Sequence, residues 1–149
     1  MRRALLVAAV PLLIAVACET VDLGKPPSDI NACRPSQQFF GTEINFNVLQ
    51  KDYGGVHCYD STCHGPLAPN ALDLVLIDPL DPYLNPPAIP LTGPWANNYR
   101  TATEQMNCAN VAASKLLEYP SGLKVHGGGK LIEPDGPEAT LIKMWISQP

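Results

Sequence analysis

One short stretch, Cys58-Tyr59-Asp60-Ser61-Thr62-Cys63-His64-Gly65, restricts what this chain can fold into more than any other. Two thiols followed by an adjacent imidazole are the groups that tie a c-type haem to a polypeptide. Each thiol adds to one porphyrin vinyl group, and His64 takes the iron as proximal ligand. A small domain built on this motif draws part of its core from a large apolar cofactor. The usual spacer between the cysteines is two residues, whereas here it is four, so the spacer must bulge to keep both sulfurs at the vinyls. The same residues admit two other pairings. One is a Cys58–Cys63 disulfide with no haem. The other is a zinc site drawn from His57, Cys58, Cys63 and His64, against which stands the lack of a second Cys/His cluster.

The first residues form a separate unit. Arg2 and Arg3 precede an apolar run from Ala4 to Ala17, which is too short for a permanent membrane span. The run ends in Ala15-Val16-Ala17-Cys18, which resembles a bacterial lipobox, and Glu19 resembles the residue that follows it in outer-membrane lipoproteins. Residues 1–17 are therefore expected to be a lipoprotein-type signal peptide, with Cys18 lipidated. An ordinary secretory signal cleaved near Ala17 is the alternative. Either way the protein is exported, to the periplasmic side of the envelope or the cell surface, with the outer membrane as expected destination. Without Arg2 and Arg3 the chain has eight basic residues against 14 acidic ones. It has no basic stripe to neutralise phosphates, so no nucleic-acid partner is expected.

The five cysteines then partition. Cys18 takes lipid, Cys58 and Cys63 take haem, and Cys33 and Cys108 remain as a disulfide by elimination in an oxidising compartment.

Residues 18–37, with Lys25-Pro26-Pro27-Ser28, read as a tether. Ser36 or Thr42 is positioned to cap a first helix running to about Tyr53, with Phe40, Ile44 and Val48 on one face and Gly54-Gly55 ending it. The run from Ala71 to Leu76 predicts a strand-like or extended segment. Six prolines between residues 79 and 94 exclude regular helix there. That stretch reads as a loop wrapping one haem edge or as a surface excursion. Thr92 and Pro94 predict a second helix whose Trp95, Tyr99, Ala102 and Met106 form an apolar stripe. A third helix is expected around Ala112 to Tyr119, before Pro120. Asp135-Gly136-Pro137-Glu138 opens a last helix with Leu141, Ile142 and Trp145 facing inward. The fold class is mainly α: short helices, little strand, and long Pro/Gly-rich loops.

The order of these pieces resembles the planctomycete-type cytochrome c domain of bacterial exported proteins. The residues that carry the likeness are Phe46-Asn47-Val48-Leu49, Cys58…Cys63-His64-Gly65 and Leu72-Asp73-Leu74. Further on come Ser114-Lys115-Leu116-Leu117 before Pro120, His126-Gly127-Gly128-Gly129, and Trp145-Ile146. The resemblance spans roughly residues 40–147. It implies a cytochrome c-like domain over 38–149, of three to five short helices around a haem c, with an electron-transfer role.

Candidates for the distal iron ligand are His126, Met106 and Met144. His126 ranks first, because the glycines after it let the loop approach a flat ring and because it matches the family's His-Gly-Gly element. Enzyme readings are weaker. His126-Gly127-Gly128-Gly129 looks like a lipase oxyanion loop, but there is no Gly-x-Ser-x-Gly elbow, and Leu131 stands where a phosphate loop needs Ser or Thr. The expected function is therefore an exported, membrane-anchored electron carrier with one covalent haem and a redox partner protein. It is not read as an enzyme, although a peroxidase-like activity stays open. The alternative is a haemless, disulfide-stapled surface or periplasmic lipoprotein acting as a protein-binding or structural module.

Overall fold

The first helix begins where Ser36 accepts a hydrogen bond from the Phe39 amide at 3.1 Å, the capping that a serine at this place provides. In the computed structural model, which describes residues 34–68, 72–81 and 87–148, a single α turn (α1, Gln37–Phe39) passes without a break into a π-helix, Phe40–Leu49. The signal, Cys18, Cys33 and most of the expected tether lie outside the described residues.

The π form closes i→i−5 bonds, ending with the Gln50 amide on the Asn45 carbonyl at 2.8 Å. Its buried residues come in adjacent pairs (Phe40 and Gly41, Ile44 and Asn45, Val48 and Leu49) that recur every four positions. A turn wider than that of an α-helix keeps those pairs on one face. The helix stops at Leu49, not near Tyr53, because the Gln50 side chain turns away to bond the Val75 carbonyl at 3.1 Å. Thr42 is no cap; its hydroxyl donates back to the Gln38 carbonyl.

α2 (Gly93–Thr103) starts after Thr92 with Pro94 in its first turn, as the sequence predicts. Trp95 and Ala102 are buried, and Met106 packs against the core beyond the helix end. Asn98 and Thr101, both buried, share the inward face with them. The expected third helix is two pieces, a 3₁₀ turn Val111–Ala113 and α3 (Lys115–Glu118). Ser114 divides them: its amide bonds Val111 and its hydroxyl accepts from the Asn107 amide at 2.9 Å. α4 (Pro137–Ser147) buries Ala139, Ile142, Trp145 and Ile146, while Leu141 is only partly covered.

α4 closes the domain on its beginning. The Trp145 ring lies 5.2 Å from that of Phe40, and its indole nitrogen donates to the Ser36 carbonyl at 3.0 Å. Among the described residues the domain is mainly helical, with no strand. The Leu72–Leu76 run is extended but pairs with no neighbouring strand. The described end of the proline-rich segment sits on the first helix. A Cβ at Gly41 would stand 2.5 Å from Pro87, and the Leu91 amide donates to the Gln37 side chain at 2.9 Å.

Candidate cofactor site

Asp60 organises the Cys58–Cys63 spacer. Its carbonyl accepts from the amides of Cys63 at 2.8 Å and Gly65 at 3.0 Å, and its carboxylate accepts from the His57 amide at 3.1 Å. The His64 amide then reaches back to the Cys58 carbonyl at 3.0 Å. The four spacer residues are thereby folded into a compact bulge that returns His64 to the start of the motif. Gly65 is part of this closure, since a Cβ there would lie 2.4 Å from the Tyr59 carbonyl oxygen.

Neither Cys58 nor Cys63 is disulfide-bonded. Burial, and then the neighbouring Cys63, push the Cys58 thiol up to about 11, so it stays protonated at neutral pH. Cys108 is disulfide-bonded; its expected partner Cys33 lies outside the described residues. His57 faces carboxylates instead of the motif thiols, with its ring nitrogens 3.5 Å from Asp60 and 3.8 Å from Asp52. Among the described residues no three His, Cys, Asp or Glu side chains converge to hold a metal ion. The zinc reading of His57, Cys58, Cys63 and His64 is thus corrected, because His57 is drawn away by Asp52 and Asp60.

Beside the motif lies a cavity of about 410 Å³, within the range of cofactor pockets. Val48 and Leu49 of the π-helix, Leu72, Leu116 and Ile132 give it apolar walls, and Cys58 and His64 open onto it. His126 lines it too. Met106 and Met144 do not: Met106 packs against the core, and Met144 is exposed on α4. No described residue of the proline-rich segment lines it either, so the part that is described packs on the first helix and does not wrap this cavity.

The two histidines face each other. Their ring centres are 5.9 Å apart and their planes differ by 14°. The His64 Nδ1 lies 3.1 Å from the Leu72 carbonyl, and the His126 Nδ1 lies 3.1 Å from the Gly129 carbonyl. A carbonyl only accepts, so each Nδ1 must carry a proton, and in a neutral ring so held Nε2 keeps its lone pair, the form that binds metal. Burial, and then the proximity of His126, hold His64 below the ordinary histidine value; the Leu72 bond opposes this only in part. His64 is therefore neutral at physiological pH.

The cavity offers Cys58, His64 and His126 to a haem, while Cys63 of the motif does not line it. The 5.9 Å between ring centres matches the roughly 6 Å of two imidazoles on one metal, given metal–nitrogen bonds of about 2 Å and about 1.1 Å from each nitrogen to its ring centre; the rings are stacked, so sharing a metal requires both to turn their Nε2 edges toward it. The porphyrin itself supplies the remaining ligands, so two histidines suffice where a zinc site needs four groups.

No protein-family model matches this chain, and no curated protein or solved structure does so either. Sequence reasoning missed the support behind His64. Asn97, Asn98 and Thr101 of α2, with Gln50, bond the backbone of residues 73–75, which continues directly from the Leu72 carbonyl. The available signal was two polar residues, Asn98 and Thr101, at helical spacing within the Trp95–Ala102 stripe.

Proposed function

We propose that this chain is an exported, lipid-anchored electron carrier. Cys58 and Cys63 would hold one haem c covalently, and His64 and His126 would be the residues that bind its iron. The observation that carries the reading is the pair of imidazoles at the cavity, ring centres 5.9 Å apart, each with Nδ1 against a carbonyl and Nε2 left to bind. When bound, the group supplies a reversible one-electron change at iron, at a lower potential with two nitrogen ligands than with nitrogen and methionine sulfur.

The protein's own residues hold, orient and exclude. His64 is kept neutral and presented by the Leu72 carbonyl. Val48, Leu49, Leu116 and Ile132 wall part of the cavity with apolar surface, against which a porphyrin would pack. Cys18 would carry the lipid and place the domain on the periplasmic side of the envelope or at the cell surface, with the outer membrane as its site. There it would exchange electrons with a partner protein. A peroxidase-like reaction needs an open iron position, which a His126 ligand closes.

The test is an absorption spectrum and an intact mass of the protein from a host competent in cytochrome c maturation. The expected result is a low-spin c-type spectrum and one haem's mass that survives acid–acetone extraction. A fully matured sample without haem, with Cys58 bonded to Cys63, would overturn the proposal. Cys18→Ser is expected to move the protein from membranes to the soluble fraction, and unchanged partitioning would remove the anchor.

A further inference from the structure

Among the described residues no strand lies beside the extended segment after Leu72, yet its backbone is bonded as though one did. The Asp73 carbonyl accepts from the Asn97 amide group at 2.9 Å and from the Thr101 hydroxyl at 3.1 Å. The Val75 amide donates to the Asn98 side-chain oxygen at 2.8 Å, and the Val75 carbonyl accepts from the Asn98 side-chain nitrogen at 2.8 Å. Asn98 thus presents a donor and an acceptor to one residue, as a neighbouring strand would. Gln50 adds a second donor to the Val75 carbonyl. On the other side, the Leu74 amide donates to the His64 carbonyl at 2.6 Å, and the Leu72 carbonyl accepts from His64 Nδ1. The segment is gripped between α2 and His64.

We infer that Asn97, Asn98 and Thr101 are positioning residues for His64: by clamping residues 73–75 they hold the Leu72 carbonyl against Nδ1, which fixes the tautomer and raises the electron density at Nε2. Asn98 is fully buried and Thr101 nearly so, on the same face of α2 as Trp95 and Ala102. A polar group in such a place is tolerated only when bonded. Asn98 also donates to the Asn45 side-chain oxygen at 3.1 Å and Thr101 to the Asn98 carbonyl at 3.3 Å, and their remaining bonds go to the segment that orients the imidazole. An apolar residue at 98 would fill the space but leave the Val75 amide without its partner. Groups behind a metal-binding histidine tune it strongly: their loss typically costs 10–100-fold in metal affinity or activity.

The redox consequence rests on the haem reading, and the tautomer does not. Three single variants of the full chain, produced in a maturation-competent host, separate the two. Thr101→Val keeps the shape and loses the hydroxyl, Thr101→Ser restores it, and Asn97→Ala removes the second donor from a half-buried position. In the haem-loaded protein, Thr101→Val and Asn97→Ala are each expected to raise the potential, because a loosened Leu72 carbonyl makes the imidazole a poorer donor to oxidised iron. The expected size for Thr101→Val is about tenfold in the oxidised-to-reduced ratio, 59 mV for one electron, with Thr101→Ser close to wild type. If the protein is isolated without haem, the haem reading fails alone, and nitrogen NMR of His64 still decides the inference. Wild type should then show the Nδ1–H tautomer and Thr101→Val a mixture. Folded Thr101→Val and Asn97→Ala proteins whose potential, or whose His64 tautomer in the haem-free case, equals wild type would overturn it.

Discussion

The two sides of the cavity present the same group in the same way and support it differently. His64 and His126 each donate from Nδ1 to a carbonyl at 3.1 Å. For His64 that carbonyl belongs to Leu72, on a segment held by side chains of α2 and by Gln50. For His126 it belongs to Gly129, three residues further along the same loop. That loop is tied to the body near its ends, by the Lys124 amide on the Glu118 carbonyl and by Leu131 and Ile132 on the Pro120 carbonyl. Between these ties it is largely exposed, with Val125 97% accessible. One imidazole is thus oriented by distant parts of the chain and the other by its own turn. A ligand of the first kind is rigid, and one of the second kind can be exchanged.

The largest test of this contrast is to delete each ring. With haem attached, His64→Ala is expected to remove the proximal ligand and change the spin state, with poor haem retention in the folded protein. His126→Ala should keep the haem and turn the ferric iron high-spin, open to added imidazole. Wild type should be low-spin without a near-infrared sulfur-to-iron band. If His126→Ala stays low-spin and shows that band, a methionine is the ligand and the two-histidine reading falls.

A smaller test uses the glycines. Gly65→Ala forces a Cβ onto the Tyr59 backbone and is expected to cost about 1–3 kcal/mol. Gly127 has open space around its would-be Cβ and no left-handed φ, so Gly127→Ala should stay within about 0.5 kcal/mol of wild type. Urea denaturation of the two variants measures this, and equal costs would erase the contrast between the braced and the self-supported side.

The smallest effect is set by pH. Lys51, just before the motif, pairs with Glu138 in the first turn of α4, and its ammonium holds that carboxyl below the ordinary glutamate range, against the effect of burial. A lowered folded value means the stabilisation is complete above the unfolded value of about 4.3 and fades as the pH falls through the folded one. With Lys51 half-exposed, its size is about 1 kcal/mol. Lys51→Met should flatten that part of the acid-stability profile, as followed by thermal melts between neutral and acidic pH. An unchanged profile would show that the pair does not fasten the motif side to α4.

Local chemistry accounts for what was readable in advance. The Ser36 cap, the start of α2 at Thr92 and Pro94, the opening of α4 at Gly136-Pro137, and the burial of Ile142 and Trp145 depend on residues within a turn or two of one another. The same holds for the bulged spacer, whose bonds all lie between residues 57 and 65. The π-helix was not readable, because Phe40, Ile44 and Val48 suit an α-helix equally well. The wider turn shows only in the second member of each buried pair, one of which, Gly41, lies against Pro87. Nor does a single serine announce that it will split a helix, as Ser114 does through its bonds to Asn107.

By itself, then, the sequence determined a mainly helical domain, the position of the thiols and imidazole that define the candidate site, and the nomination of His126 among three possible ligands. Each follows from side-chain chemistry and short-range spacing. Tertiary structure alone decided that His126 lies beside His64 at one cavity while Met106 and Met144 do not line it, and that α2 braces the segment behind His64. These are contacts between residues far apart along the chain. Their partners are chosen by how the helices pack and by the need of buried amides and carbonyls for a bonding partner.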